Sequence, residues 1–83
     1  MNLYKISQTI NDDYDTFDSA VVVAEPEEQA RMIHPNGREW DGKSGRWDSW
    51  VDSENVSVLL VGKAHSRYDN HSGTVIVSSY NAG

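Results

Sequence analysis

Apolar residues in this chain come in short bursts whose periods differ, and the periods assign the elements. Residues 3–8 alternate and are rich in strand formers, which predicts an opening β-strand. Asn11, Asp12, Asp13, Tyr14, Asp15, Thr16, Phe17 and Asp18 then form a polar stretch in which Asn and Asp side chains can bond nearby backbone amides, so a turn is expected. A second strand follows over residues 19–24. Its unbroken Val21-Val22-Val23 run implies burial on both faces and a place inside the sheet, with a helix over one side.

That helix is predicted from Pro26 at its first position to a stop at Pro35. Glu27 and Glu28 complement the positive end of the helix dipole, and Arg31 and His34 its negative end. Ala30 and Ile33, with Met32 or Gln29 at the margins, give a narrow apolar stripe. Residues 36–51 carry all three tryptophans, and Gly37-Arg38-Glu39-Trp40-Asp41 is echoed by Gly45-Arg46-Trp47-Asp48 across a Gly-rich turn. A hairpin or an irregular flap would both fit. Residues 56–64 and 74–80 read as two more strands joined by a polar connection. The order β-β-α-flap-β-β describes a small α+β domain, residues 1–83 as one unit, with one helix on a mainly antiparallel sheet. A first or last strand at a sheet edge would leave backbone groups unpaired, so pairing across a two-fold into a homodimer is expected.

Composition sharpens this picture. Three Trp, four Tyr and three aliphatic runs are too many for a disordered chain of 83 residues, so the chain should fold. The absence of cysteine rules out disulfides and thiolate metal sites and fits a reducing, cytoplasmic setting. The N-terminus lacks the apolar region of a signal peptide, and no apolar stretch approaches the roughly 20 residues that span a bilayer, so no membrane partner is expected.

Charge is polarised. Residues 6–30 hold Asp12, Asp13, Asp15, Asp18, Glu25, Glu27 and Glu28 and no lysine or arginine, whereas bases and acids balance from Arg31 onward; the net charge of −6 arises in the N-terminal third. Such a field steers cationic partners and repels phosphates, which argues against direct nucleic-acid binding.

Several phrases carry a family likeness: Leu3-Tyr4-Lys5-Ile6-Ser7-Gln8, Tyr14-Asp15-Thr16-Phe17-Asp18-Ser19-Ala20-Val21-Val22, Ile33-His34-Pro35, Val56-Ser57-Val58 with Gly62-Lys63-Ala64, and Ser79-Tyr80-Asn81-Ala82-Gly83. On these the chain resembles a family of small proteins encoded in phage genomes and prophage regions. The resemblance implies a compact phage accessory protein, a class often devoted to disabling host defences such as CRISPR or restriction systems. Residues 38–51 and 65–72 fit that pattern least.

The acidic stretch does not fit a calcium loop, since no start at Asn11 or Asp13 puts Gly sixth and Glu twelfth. His34, His65 and His71 have no metal-ligand spacing, and no nucleophile elbow, phosphate loop or catalytic carboxylate pair stands out, so neither metal, cofactor nor enzyme activity is expected. Asp12, Asp13, Asp15, Asp18, Glu25, Glu27 and Glu28 are read either as a solvated face that serves solubility and helix capping or as a partner-binding set facing a host defence protein with a basic nucleic-acid-binding surface. The alternative set is Arg38, Trp40, Arg46, Trp47 and Trp50, either completing the core or sequestering a nucleotide immune signal by stacking and charge. Tyr14, Asp15 and Asp18 are expected to knit the turn to the sheet. Ser7 and Gln8 would approach either that turn or Ser78, Ser79 and Asn81, depending on strand direction.

Overall fold

In the computed structural model, which describes residues 1–45 and 48–81, the first two strands meet antiparallel. β1 (Asn2–Ser7) and β2 (Thr16–Ala24) pair with Tyr4 opposite Val22 and Ile6 opposite Ala20. β3 (Ser57–Lys63) adds outside β1 and β4 (Val75–Asn81) outside β2, giving a four-stranded, wholly antiparallel sheet in the order β3-β1-β2-β4. One short helix, α1 (Glu27–Arg31), lies against it, so the domain is α+β.

The interior place expected for β2 is found, and β4 does lie at an edge. β1 does not: it is flanked by β2 and β3, and β2 separates it from β4. Ser7 and Gln8 lead into the turn between β1 and β2, and because β4 ends beside that turn Gln8 lines one pocket with Tyr80 and Asn81. β2 also begins three residues before the expected start, because Thr16 and Phe17 find partners in Asn81 and Tyr80.

The helix is shorter than its sequence implies. Pro26 is the extended N-cap (φ −90°, ψ 158°) rather than the first helical residue, and the chain leaves the helix at Met32. Pro35 pushes only His34 out of the α region, so the proline sets an outer limit for the helix and the exit at Met32 precedes it. Ile33 and His34, released from the helix, are both buried.

One face of the sheet carries the core. Tyr4, Ile6, Ala20, Val22 and Ala24 pack with Ala30, Ile33, Trp50, Val51 and Val56. Trp50, 1% exposed, is the largest of these; burying its ring removes on the order of 200 Å² from water, worth roughly 5 kcal/mol as an upper figure. The strap that delivers it, residues 36–52, contains no strand among the described residues, so the hairpin alternative is set aside in favour of an irregular crossing. At Gly42 the strap runs so close beneath Met32 that a Cβ would sit 2.8 Å from the Met32 Cε, and its φ of +87° is glycine territory.

The opposite face has no helix over it. The registers put Leu59, Lys5, Val21 and Val77 in one row across that face, and Leu59 and Val77 are exposed. Among the described residues no helix is long and apolar enough to cross a membrane.

Candidate functional site: two acidic ends and a buried His–Asp pair

All seven carboxylates of the N-terminal third are exposed, but the fold divides them. Asp12, Asp13, Asp15 and Asp18 lie at the start of β2, while Glu25, Glu27 and Glu28 follow its end. The nine residues of β2 separate Asp15 from Glu25 by about 30 Å at the usual rise of roughly 3.3 Å per residue, while Asp18, the third residue of the strand, lies about 23 Å from Glu25.

The first acidic group sits on a turn held from within. The amide of Gln8, a side chain 5% exposed, donates to the carbonyls of Asn11 (2.7 Å) and Phe17 (2.9 Å), and its oxygen accepts from the Asn11 N–H (2.8 Å). Asn11 Oδ1 accepts from the Asp13 N–H, and the Thr16 hydroxyl donates to the Asp13 carbonyl. Asp15 occupies the left-handed region (φ 63°), donates its N–H to the Asn81 carbonyl and accepts from the Tyr80 hydroxyl at 3.4 Å. Desolvation, then the Asp15 charge and that hydrogen bond, raise the Tyr80 phenol above its ordinary value, which keeps it a donor. Asp18 accepts from the Ser19 hydroxyl at the point where the β2–β4 register shifts. Asp15 thus ties the turn to β4, whereas among the described residues the Asp18 carboxylate bonds only its neighbour within β2. Tyr14, expected in the same scaffold, is instead 73% exposed. Asp12 and Asp13 project from the turn, and neither makes an ion pair among the described residues.

At the other end, the Glu25 carbonyl accepts from the Tyr4 hydroxyl (3.0 Å) and the Asn2 amide (3.2 Å), anchoring the chain before it turns into α1. Glu27 lies 4.0 Å from Arg31 one helical turn on. Arg31 in turn reaches the carbonyls of Ser53 and Val56, so it also ties the helix to the chain entering β3.

The strap carries the second candidate set, and the structure redistributes it. Trp50 is in the core and presents no face to a ligand. Trp40 is half-buried, its indole N–H donating to the Lys43 carbonyl (2.9 Å) and its ring meeting that of His34 edge-on at 5.6 Å. Arg38 donates to Asp48 Oδ2. Arg46 and Trp47 lie outside the described residues, as do Ala82 and Gly83 of the terminal family phrase.

Sequence reasoning did not single out the pair beneath them. His34 is fully buried, and its Nε2 lies 2.8 Å from Asp48 Oδ1. Its Nδ1 accepts from the Asn36 N–H at 3.2 Å, which leaves Nε2 as the protonated nitrogen donating to Asp48. Burial pushes the Asp48 carboxyl up, but the His34 hydrogen bond and the Arg38 charge outweigh it and hold the group below its ordinary value. Ser44 contributes less, its hydroxyl lying outside hydrogen-bond geometry. Through both ring nitrogens His34 fixes the strap to the helix exit.

Two open clefts flank this pair. One, of about 800 Å³, is lined by residues including Arg38, Trp40, Asp41, Lys43 and Asp48; the other, of about 730 Å³, runs between Arg38, Ser49, Asp15 and Tyr80. Both are shallow, wet and mixed in charge, and their guanidinium is already engaged by Asp48. His65 accepts from the Arg67 N–H as a local cap, and among the described residues no group of three or more metal-ligating side chains converges. No protein-family model, curated protein or solved structure matches the chain.

Proposed function

We propose that this protein is a non-catalytic binding protein whose acidic surface occupies the basic, nucleic-acid-handling groove of another protein. The observation that carries the reading is the disposition of the seven N-terminal carboxylates: all are exposed, and among the described residues only Glu27 has a cation within 4.0 Å. Unneutralised carboxylates held on a rigid sheet imitate a phosphate backbone, raise the rate of encounter with a cationic groove and disfavour nucleic acid itself. The resemblance to small phage and prophage proteins makes the partner a component of a host antiviral system, of the CRISPR or restriction kind, and the setting the host cytoplasm.

A nucleotide-sequestering role draws less support. Trp50 is spent on the core and Arg38 on Asp48, which leaves Trp40 as the one described aromatic ring of that set with any exposure.

Capture from host lysate on the immobilised protein, followed by affinity measurement with purified partner at low salt, tests the proposal. The Asp12→Lys/Asp13→Lys variant, which leaves the turn's internal bonds in place, should lose the complex. Unchanged affinity in that variant, or stabilisation of the protein by a nucleotide in place of a protein partner, would overturn it.

A further inference from the structure

The strap holds two turns of one local design. Asn36 Oδ1 accepts from the Arg38 N–H at 2.9 Å across Gly37, and Asp41 Oδ1 accepts from the Lys43 N–H at 3.0 Å across Gly42. Both glycines lie in the left-handed region, at φ +82° and +87°. The room around them differs. A Cβ at Gly37 would meet no atom within 4 Å, whereas one at Gly42 would strike Met32 and Ser53, and the Gly42 carbonyl is held by the Ser53 N–H at 2.8 Å. Asn36 and Gly37 are exposed; Gly42 is buried.

An asparagine followed by glycine carries its own nucleophile. The Gly37 nitrogen is placed to attack Asn36 Cγ and close a succinimide ring, and glycine has no side chain to hinder the approach. The N–Cγ bond forms, the Cγ–Nδ2 bond breaks, and the side-chain nitrogen leaves as ammonia with the proton that Gly37 gives up. Water then adds to one ring carbonyl or the other, leaving aspartate, or isoaspartate with the chain rerouted through Cβ. The Arg38 N–H already points at Oδ1, the atom that becomes negative as the nitrogen adds, so an oxyanion donor is in place before the reaction starts. One restraint opposes it. The Gly37 N–H donates to the His34 carbonyl at 2.9 Å, a single bond in an exposed turn, and its local opening admits the attack. At Asp41 the same attack would meet a carboxylate, a poorer electrophile than an amide, beside a glycine with no space to turn.

We propose that Asn36 is a site of covalent self-modification, converted through a succinimide with Gly37 into a mixture of isoaspartate and aspartate. The product adds one negative charge to the cleft that Asn36 shares with Arg38 and Asp48. The inference does not depend on the acidic-surface reading.

The full chain, aged in mildly alkaline buffer and sampled over time, is to be mapped by proteolysis and mass spectrometry, with an isoaspartyl methyltransferase assay for the rearranged product. Asn36 should convert ahead of every other asparagine by about tenfold or more in rate, with isoaspartate exceeding aspartate, while Asp41 stays unrearranged. Asn36→Gln keeps an exposed amide but has to close a larger ring, so the new acidic species should vanish while circular dichroism shows an unchanged fold. Gly37→Ala, for which there is room, should slow conversion by about tenfold or more. Conversion of another asparagine ahead of Asn36, an Asn36 that stays intact while the same site converts in the urea-unfolded chain, an undiminished rate in Gly37→Ala, or an acidic species that persists in Asn36→Gln would each overturn the proposal.

Discussion

His34 and Asp48 form a hydrogen-bonded pair, Nε2 to Oδ1 at 2.8 Å, in which the imidazole is completely buried and the carboxylate also holds Arg38 at the surface. The pair joins the exit of α1 to the strap that carries Trp50, so its loss should loosen the route by which the largest core side chain is delivered.

The first prediction concerns acid. The folded Asp48 carboxyl titrates below its ordinary value of 3.8, so its contribution is fully present above the unfolded value and disappears as the pH falls through the folded one. Urea denaturation should therefore show stability falling below about pH 4, and Asp48→Asn should flatten that fall. At neutral pH the same substitution should cost roughly 1.5–3 kcal/mol, the range for a hydrogen bond to a charged group.

Trp50 offers a sharper test of the core. Trp50→Ala should cost about 3–5 kcal/mol, enough to unfold a marginal domain of this size. Trp50→Phe should cost much less, because the indole N–H it removes is buried without a partner among the described residues. Thermal melts of the two variants, set beside Trp40→Ala at its half-buried position, would order the three.

Gln8→Ala should release the turn without unfolding the sheet. Three hydrogen bonds from one buried side chain disappear, and a loss of about 1–3 kcal/mol is expected because the Asn11 and Phe17 groups are left without that partner. Amide hydrogen exchange should quicken across residues 11–17 and remain slow in β1 and β3.

At Asp15, backbone and charge can be separated. Asp15→Asn retains a residue that tolerates positive φ and removes the negative charge beside Tyr80, so the phenol should titrate closer to 10.0 in a spectrophotometric titration while stability changes little. Asp15→Val should cost about 1–2 kcal/mol from backbone strain, and that cost should be absent from Asp15→Gly.

What the sequence displayed, and what it concealed, follows from the range of the interactions. The strands were legible because alternation and the Val21-Val22-Val23 run are local signals, and the turn was legible because Asn11 bonds to the backbone two residues away. The strand order was not: nothing local to Leu3 or Leu59 tells that β3 returns beside β1, which a chain pairing of more than 50 residues decides. The Gln8 clamp and the His34–Asp48 pair were hidden for the same reason, each being a glutamine or histidine like any other until the fold brings its partners near. Pro35 marked the end of the helix but not its early exit. The three tryptophans looked alike as letters, and the fold separates Trp50 from Trp40 by burial.

β2 has a consequence as a spacer. At physiological ionic strength the screening length is about 8 Å, so the Asp12–Asp15 turn and the Glu25–Glu28 end, held about 30 Å apart by a hydrogen-bonded strand, act as two footholds that do not feel each other. A partner whose basic groove is long enough takes both at once, and the second contact then forms as an intramolecular event, multiplying affinity without any new chemistry. A partner with a short basic patch takes only one and leaves the other end free to recruit a second molecule. On the proposed acidic-surface reading, the length of one strand sets how long a cationic tract must be to engage both ends.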